Sequence, residues 1–157
     1  MSKSLKRVTQ ALRDAGLDIT PIEMQAETRT AQQAADAAGC ALDQIAKSIV
    51  FAGESSQSAI LFITAGGNQV DHAKAAAIAG EPLGKADAAL IRAQTGFAIG
   101  GVAPVGHLTP IRAFMDPRLL EFDEIFAAAG TPRHIFPINP ANLLKISGAQ
   151  PADFKSV

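Results

Sequence analysis

Hydrophobic and polar positions change period along the chain, and each change marks an element. Leu5, Val8, Leu12 and Ala15 recur at helical spacing, with Ser4 as the expected N-cap and Gly16 past the end. "DITPIEM" reads as a short edge strand, because Pro21 removes a backbone donor that a central strand needs. "TAQQAADAAG" is a helix opened by a capping box, Thr30 with Gln33, and closed at Gly39. "IAKSIVFAG" and "SAILFITAG" are β-branched and aromatic, and the polar turn "ESSQ" joins them as an antiparallel hairpin. The second of the two is apolar on both faces, as a central strand is. "DHAKAAAIAG" and "DAALIRAQTG" each run from a capping Asp, Asp71 and Asp87, to a closing Gly, Gly80 and Gly96. "GFAIGGVAPVGH" is too glycine-rich for a helix and reads as a loop. "PIRAFMD", "EFDEIFAAAG" and "HIFPI" read as strands. "NPANLLKISG" is a last helix with Asn139 as N-cap, Pro140 at its first position and Gly148 beyond its end. Alternating helices and strands without linker or repeat predict one α/β domain over residues 1–157.

Composition narrows the function. The chain has 157 residues, 48% hydrophobic and 18% charged, enough to bury a core. Net charge is −1, with no Trp or Tyr, which excludes a long nucleic-acid footprint built on many phosphates or a platform of stacked bases. A short nucleic-acid end or a small molecule remains. The lone Cys40 allows no internal disulfide and fits a reducing cytosol. "MSKSLKRVTQ" lacks the apolar centre of a signal peptide, and no apolar run approaches the ~20 residues of a membrane span. The expectation is a cytoplasmic protein without membrane contact.

The chain contains no G-x-x-x-x-G-K-[ST], G-x-G-x-x-G, G-x-S-x-G, H-E-x-x-H or C-x-x-C, and His72, His107 and His134 are far apart. No metal or cofactor is expected. Two features stand out. In the strand "IAKSIVF", Ile45, Lys47, Ile49 and Phe51 share a face, which puts a charge on the more apolar side. Lys47 either runs its stem along that face to reach water, or supplies positive charge to a ligand in a cleft. In "GFAIGGVAPVGH", Gly96, Gly100, Gly101 and Gly106 either permit a close backbone crossing or bring N–H groups up to a developing oxyanion. His134 shares a face with Phe136 and Ile138 if "HIFPI" is a strand. It is either a satisfied, partly buried histidine or a group at the site.

The strand "AKSIVF", then "GGNQVDHAKAAAIAG", "GFAIGGVAPVGH" and the closing "PINPANLLKISG" together resemble the YbaK/ProX family of free-standing aminoacyl-tRNA editing proteins, related to the insertion domain of bacterial prolyl-tRNA synthetases. The resemblance runs from about Thr28 to Ala149. It implies a mixed, strongly curved sheet surrounded by helices, and hydrolysis of the ester joining a wrong amino acid to tRNA. The family's lysine falls on Lys47, and its G-x-x-x-P element on Gly100 through Pro104. Some members use a late histidine, for which His134 is the candidate. Family members act on tRNA charged with alanine, cysteine, serine, threonine or small non-protein amino acids.

On this reading the substrate is a mischarged tRNA-Pro carrying alanine or 2-aminobutyrate, with a synthetase as a further partner. Lys47, Gly100 and Gly101 are the expected catalytic groups. Ile45, Ile49, Phe51, Pro104 and His134 are the expected substrate-binding ones. Lys47 is expected to meet the terminal phosphate or ribose, because the α-ammonium of the substrate would repel it. With no general base evident, a bound water or a substrate ribose hydroxyl makes the attack. Lys3, Lys6, Arg7 and Arg13 either add weak phosphate contacts or form a solvated helix face. The competing functions are a non-catalytic module that binds an aminoacyl end or a synthetase, and a hydrolase of other small acyl esters.

Overall fold

A computed structural model describes residues 2–157. Five helices surround an eight-stranded mixed sheet. The helices are α1 (Lys3–Asp14), α2 (Ala31–Ala38), α3 (His72–Ala79), α4 (Ala88–Thr95) and α5 (Pro140–Ser147). The strands are β1 (Ile22–Glu23), β2 (Ile45–Gly53), β3 (Ala59–Ala65), β4 (Leu83–Lys85), β5 (Arg112–Met115), β6 (Ile125–Ala128), β7 (His134–Ile138) and β8 (Gln150–Pro151). The spatial order is β1-β7-β6-β2-β3-β5-β8, with β4 also paired to β2.

Local chemistry sets the boundaries. Thr30 and Gln33 form the capping box of α2, while Asp71, Asp87 and Asn139 cap α3, α4 and α5. Gly39, Gly80, Gly96 and Gly148 close those helices in the left-handed conformation. The N-cap of α1 is Ser2 rather than Ser4. Ser2 Oγ accepts from Leu5 N–H, while Ser4 lies inside the helix and its hydroxyl donates to Gly96 O. A serine two residues either side of a start site offers the same capping chemistry, so periodicity alone left the boundary free.

β2 and β3 form the expected hairpin, and all of β3 is buried. β4 and β8 were not anticipated; at three and two residues they carry no alternation to read. Pro137 is tolerated in β7 because β1 pairs only with His134 and Ile135. Ala129 N–H bonds to His134 O, so the nitrogen of Pro137 faces the side that β1 has already left.

The sheet carries different cores on its two faces. Ala46, Val50 and Ala52 of β2 pack with Ile91, Phe97, Val102 and α1 in the main cluster. Ile49 and Phe51 pack on the other face with Phe62, Phe154 and α3, and Ile45 packs there with α2.

Candidate active site

The site begins with an interruption in strand pairing. On its β3 side β2 is paired from Ala46 to Ala52. On its other side β6 reaches only Ile45 and Ala46, and β4 only Phe51, Ala52 and Gly53. Lys47 to Val50 therefore have no strand beside them, and a cavity of about 450 Å³ opens there. That is within the ~300–1,000 Å³ of small-molecule sites.

Because the gap lies in the plane of the sheet, both faces of β2 reach it. Ile45, Lys47 and Ile49 line it from one face, with Thr28 to Ala31, Ala34 and Phe126. Ala46, Ser48 and Val50 line it from the other, with Ile91 and Val102. The glycine loop contributes Ile99, Gly100 and Val102.

Lys47 lines the cavity and holds its ammonium by donating to Gly66 O at 3.2 Å. Partial burial lowers its pKa; the Asp116 and Asp43 carboxylates oppose that shift. Both carboxylates are fixed from elsewhere. Asp116 is buried and accepts from Ala65 N–H at 3.1 Å and Asn68 Nδ2 at 2.8 Å. Asp43 accepts from Gly67 N–H at 2.8 Å and pairs with Arg118 at 3.0 Å.

Gly100 sits at φ +94°. A Cβ there would lie 2.7 Å from Arg29 Nη1, so the missing side chain admits the guanidinium. Among the described residues no protein acceptor takes the Gly100 or Val102 N–H, and both residues line the cavity. Gly101 differs. Its N–H donates to Ala98 O at 3.1 Å, and a Cβ on it would meet the Thr131 backbone at 2.9 Å. Gly101 is thus a close-packing glycine, and the cavity-lining loop residues whose amides have no protein acceptor among the described residues are Ile99, Gly100 and Val102.

Three further expected site residues lie outside the cavity lining. Phe51 points under α3, with its ring edge-on to Phe62 at 5.7 Å and His72 at 5.5 Å, where β4 has closed the gap. Pro104 is buried beyond the lining loop residues. His134 is half-buried and its Nδ1 shares a hydrogen bond with Thr131 Oγ1 at 2.6 Å. It supports the residue against which Gly101 packs.

Arg29, Ser48, Val50, Ile91 and Val102 also line the cavity, though no motif marks them in the sequence. Arg29 is half exposed at the cavity, held by Glu27 at 3.0 Å. Thr30 beside it carries the recognisable capping signal, which drew the reading to α2 instead. Arg7 is not part of a solvated face of α1. Its Nη2 donates to Gly96 O at 2.7 Å, its Nε to Gly106 O at 3.3 Å, and its guanidinium lies 4.9 Å from the Phe97 ring centre. No cluster of metal-binding side chains occurs among the described residues, and no described helix is long and apolar enough to cross a membrane.

The cavity, with one lysine, one arginine, hydroxyls and open peptide amides, is cut into a mixed α/β sheet. The chain belongs to the aminoacyl-tRNA editing domain family, whose model matches residues 25–146. The uncharacterized protein YwhH of Bacillus subtilis (strain 168) is 32% identical over 130 residues, 83% of this chain and 81% of that protein. A crystal structure described as a candidate trans-editing enzyme for prolyl-tRNA synthetase superposes with a TM-score of 0.92 at 46% identity, over 100% of this chain and 99% of that one. The hypothetical protein APE2540 follows at 25% identity and a TM-score of 0.87, over 96% and 99%.

Proposed function

We propose that the protein is a trans-editing deacylase, which hydrolyses the ester joining a small wrong amino acid to tRNA. The observation that carries this reading is that Lys47 lines one cavity of about 450 Å³ together with Gly100 and Val102, whose amides have no protein acceptor among the described residues. The similar structure described as a candidate trans-editing enzyme for prolyl-tRNA synthetase supports tRNA-Pro as the substrate, and alanine or 2-aminobutyrate is the small wrong amino acid this reading assigns to it. Small apolar side chains are what a synthetase pocket rejects poorly, since one methylene discriminates by only about 1–3 kcal/mol. Ile45, Ile49, Val50, Ile91 and Val102 form the walls that set an upper size limit.

In the reaction a water oxygen adds to the ester carbonyl carbon while its proton passes toward the free ribose hydroxyl of the terminal nucleotide. The Gly100 and Val102 N–H groups hold the oxygen as it becomes negative. The carbon–oxygen bond to the ribose then breaks, and the ribose oxygen leaves with the proton released by the nucleophile. Lys47 and Arg29 bind the terminal phosphate and ribose. No Asp, Glu or His lines the cavity, which supports an attack assisted by the substrate itself rather than by a protein base. Residues 1–157 act as one editing unit in this reading, because Arg7 of α1 holds the loop that supplies the amides.

The same absence of a protein base favours a second reading, a module that binds the aminoacyl end and shields it without cleaving it. Deacylation of tRNA-Pro charged with alanine, 2-aminobutyrate, serine or cysteine separates the two. Release of at least one amino acid, lost in Lys47→Ala, is expected of the deacylase; binding with no release is expected of the module.

A further inference from the structure

The interruption in β2 exposes a particular set of backbone groups. Peptide groups of a strand point alternately to either side. Gly53 N–H bonds to Ser58 O on the β3 side, and Glu54 N–H to Pro82 O on the β4 side. Odd-numbered residues of β2 therefore bond to β3, and even-numbered ones point away from it. Ala46 is occupied by β6 and Ala52 by β4, which leaves Ser48 and Val50 facing the gap. With no strand beside them, the Ser48 C=O, the Ser48 N–H and the Val50 N–H are open to the cavity. Ser48 Oγ is the one buried side-chain polar atom without a partner among the described residues. Ser48 lines the same cavity, and its unpartnered hydroxyl is free to take another staggered χ1 well.

A C=O on one residue and an N–H two residues later is the pair that a parallel strand uses to hold a single residue opposite. β6 is parallel to β2 and stops after Ala46. An aminoacyl ester has the complementary groups: an ammonium that donates, and a carbonyl that accepts. We infer that the aminoacyl group docks on β2 as one residue of a parallel strand, with its α-ammonium on the Ser48 carbonyl and hydroxyl and its ester carbonyl on the Val50 N–H.

This rests on the deacylase reading and adds the substrate class: esters of free α-amino acids, not of deaminated or N-blocked ones. It gives the ammonium two acceptors on a strand edge, away from Lys47, whose own ammonium is held at Gly66 O. The carbonyl keeps its second lone pair for the Gly100 or Val102 amide. Recognition by strand addition places the energy in main-chain bonds, so it is indifferent to small side-chain changes.

The test compares alanyl-tRNA-Pro with its deaminated counterpart, lactyl-tRNA-Pro, each rate divided by uncatalysed hydrolysis of the same ester. Wild type should favour the alanyl ester by about tenfold, since the lactyl hydroxyl replaces a charged donor with a neutral one that makes a bond roughly half as strong. In Ser48→Ala the alanyl-to-lactyl ratio of kcat/KM should fall about fivefold or more, and Ser48→Thr should keep it. An unchanged ratio in Ser48→Ala, or a wild type indifferent to deamination, overturns the inference. If wild type cleaves neither ester, the deacylase reading fails separately. Calorimetric binding of the non-hydrolysable 3′-alanylamido and 3′-lactylamido adenosines then decides the docking mode by the same ratio.

Discussion

Arg7 in α1 and Gly96 at the end of α4 are joined by a guanidinium-to-carbonyl hydrogen bond of 2.7 Å. A second bond from Arg7 reaches Gly106, so a single side chain ties both ends of the glycine loop to the N-terminal helix. The planar fork over Phe97 makes this an arginine site, because lysine has neither the two directed donors nor the stacking surface. Arg7→Met should cost about 1–3 kcal/mol in urea unfolding, because it removes two hydrogen bonds to the loop and leaves the part-buried Gly106 carbonyl unpaired. Its deacylase activity should fall further than that of a surface control such as Lys3→Met. Arg7→Lys should recover only part of either loss.

Lys47 should behave as a functional residue that the fold tolerates rather than needs. Burial lowers its pKa, so in the window between the folded and unfolded values the unfolded chain binds the extra proton. That loss of stability is complete once pH has fallen below the window, and it persists at neutral pH. Lys47→Met removes the charge and keeps the stem, so its melting temperature at pH 7 should equal or exceed that of wild type. Its deacylation should fall by about a hundredfold if the ammonium holds the terminal phosphate or ribose. A variant that melts much earlier than wild type would assign Lys47 to the fold instead.

The helices were legible because each is bracketed by chemistry that acts locally: Thr30 with Gln33, Asp71, Asp87 and Asn139 at the starts, glycines at the ends. The β2–β3 hairpin was legible for the same reason, with its turn and its apolar alternation in one stretch. The cavity was only half legible. Alternation along β2 assigned Lys47 and Ile49 to one side and treated Ser48 and Val50 as backing. What brings Ser48 and Val50 into the site is the absence of a neighbour between the end of β6 and the start of β4, a property of sheet order that no single segment carries. Phe51 falls outside the cavity lining by the same logic, since the pairing with β4 begins at Phe51 itself. The pair Gly100–Gly101 read as one unit, but their roles differ by what lies opposite: a guanidinium for one, the Thr131 backbone for the other.

That difference can be measured. At Gly101 a methyl group would run into backbone, so Gly101→Ala should destabilise the protein and lower activity in parallel. At Gly100 the obstacle is the movable Arg29 side chain, and the cost is chiefly that of the left-handed conformation, about 1–2 kcal/mol. Gly100→Ala should therefore fold, while losing activity because Arg29 is displaced. Arg29→Gln should raise KM for mischarged tRNA, and should reduce the slope of log affinity against log salt by about 1, as loss of one phosphate contact does. A salt slope unchanged from wild type would remove Arg29 from the phosphate.

The far end of the loop gives the fold an acid limit. His107 packs its ring edge-on to Phe97 at 5.9 Å and donates from Nε2 to Ala103 O at 2.7 Å. Burial lowers its pKa below the ordinary value of 6.5; the bond to Ala103 opposes this, and nearby Arg7 adds to it. Above pH 6.5 both the folded and the unfolded chain hold His107 neutral, and its environment carries no penalty. As pH falls through 6.5 the unfolded chain takes up the proton first, so stability is lost down to the lower folded value and levels off below it. A single proton limits the slope to about 1.4 kcal/mol per pH unit. Urea midpoints of wild type should therefore drop between pH 7.5 and 5 relative to those of His107→Gln, which keeps a donor near Ala103 but cannot titrate. Parallel midpoints for the two proteins across that range would show that His107 is not responsible for the acid limb.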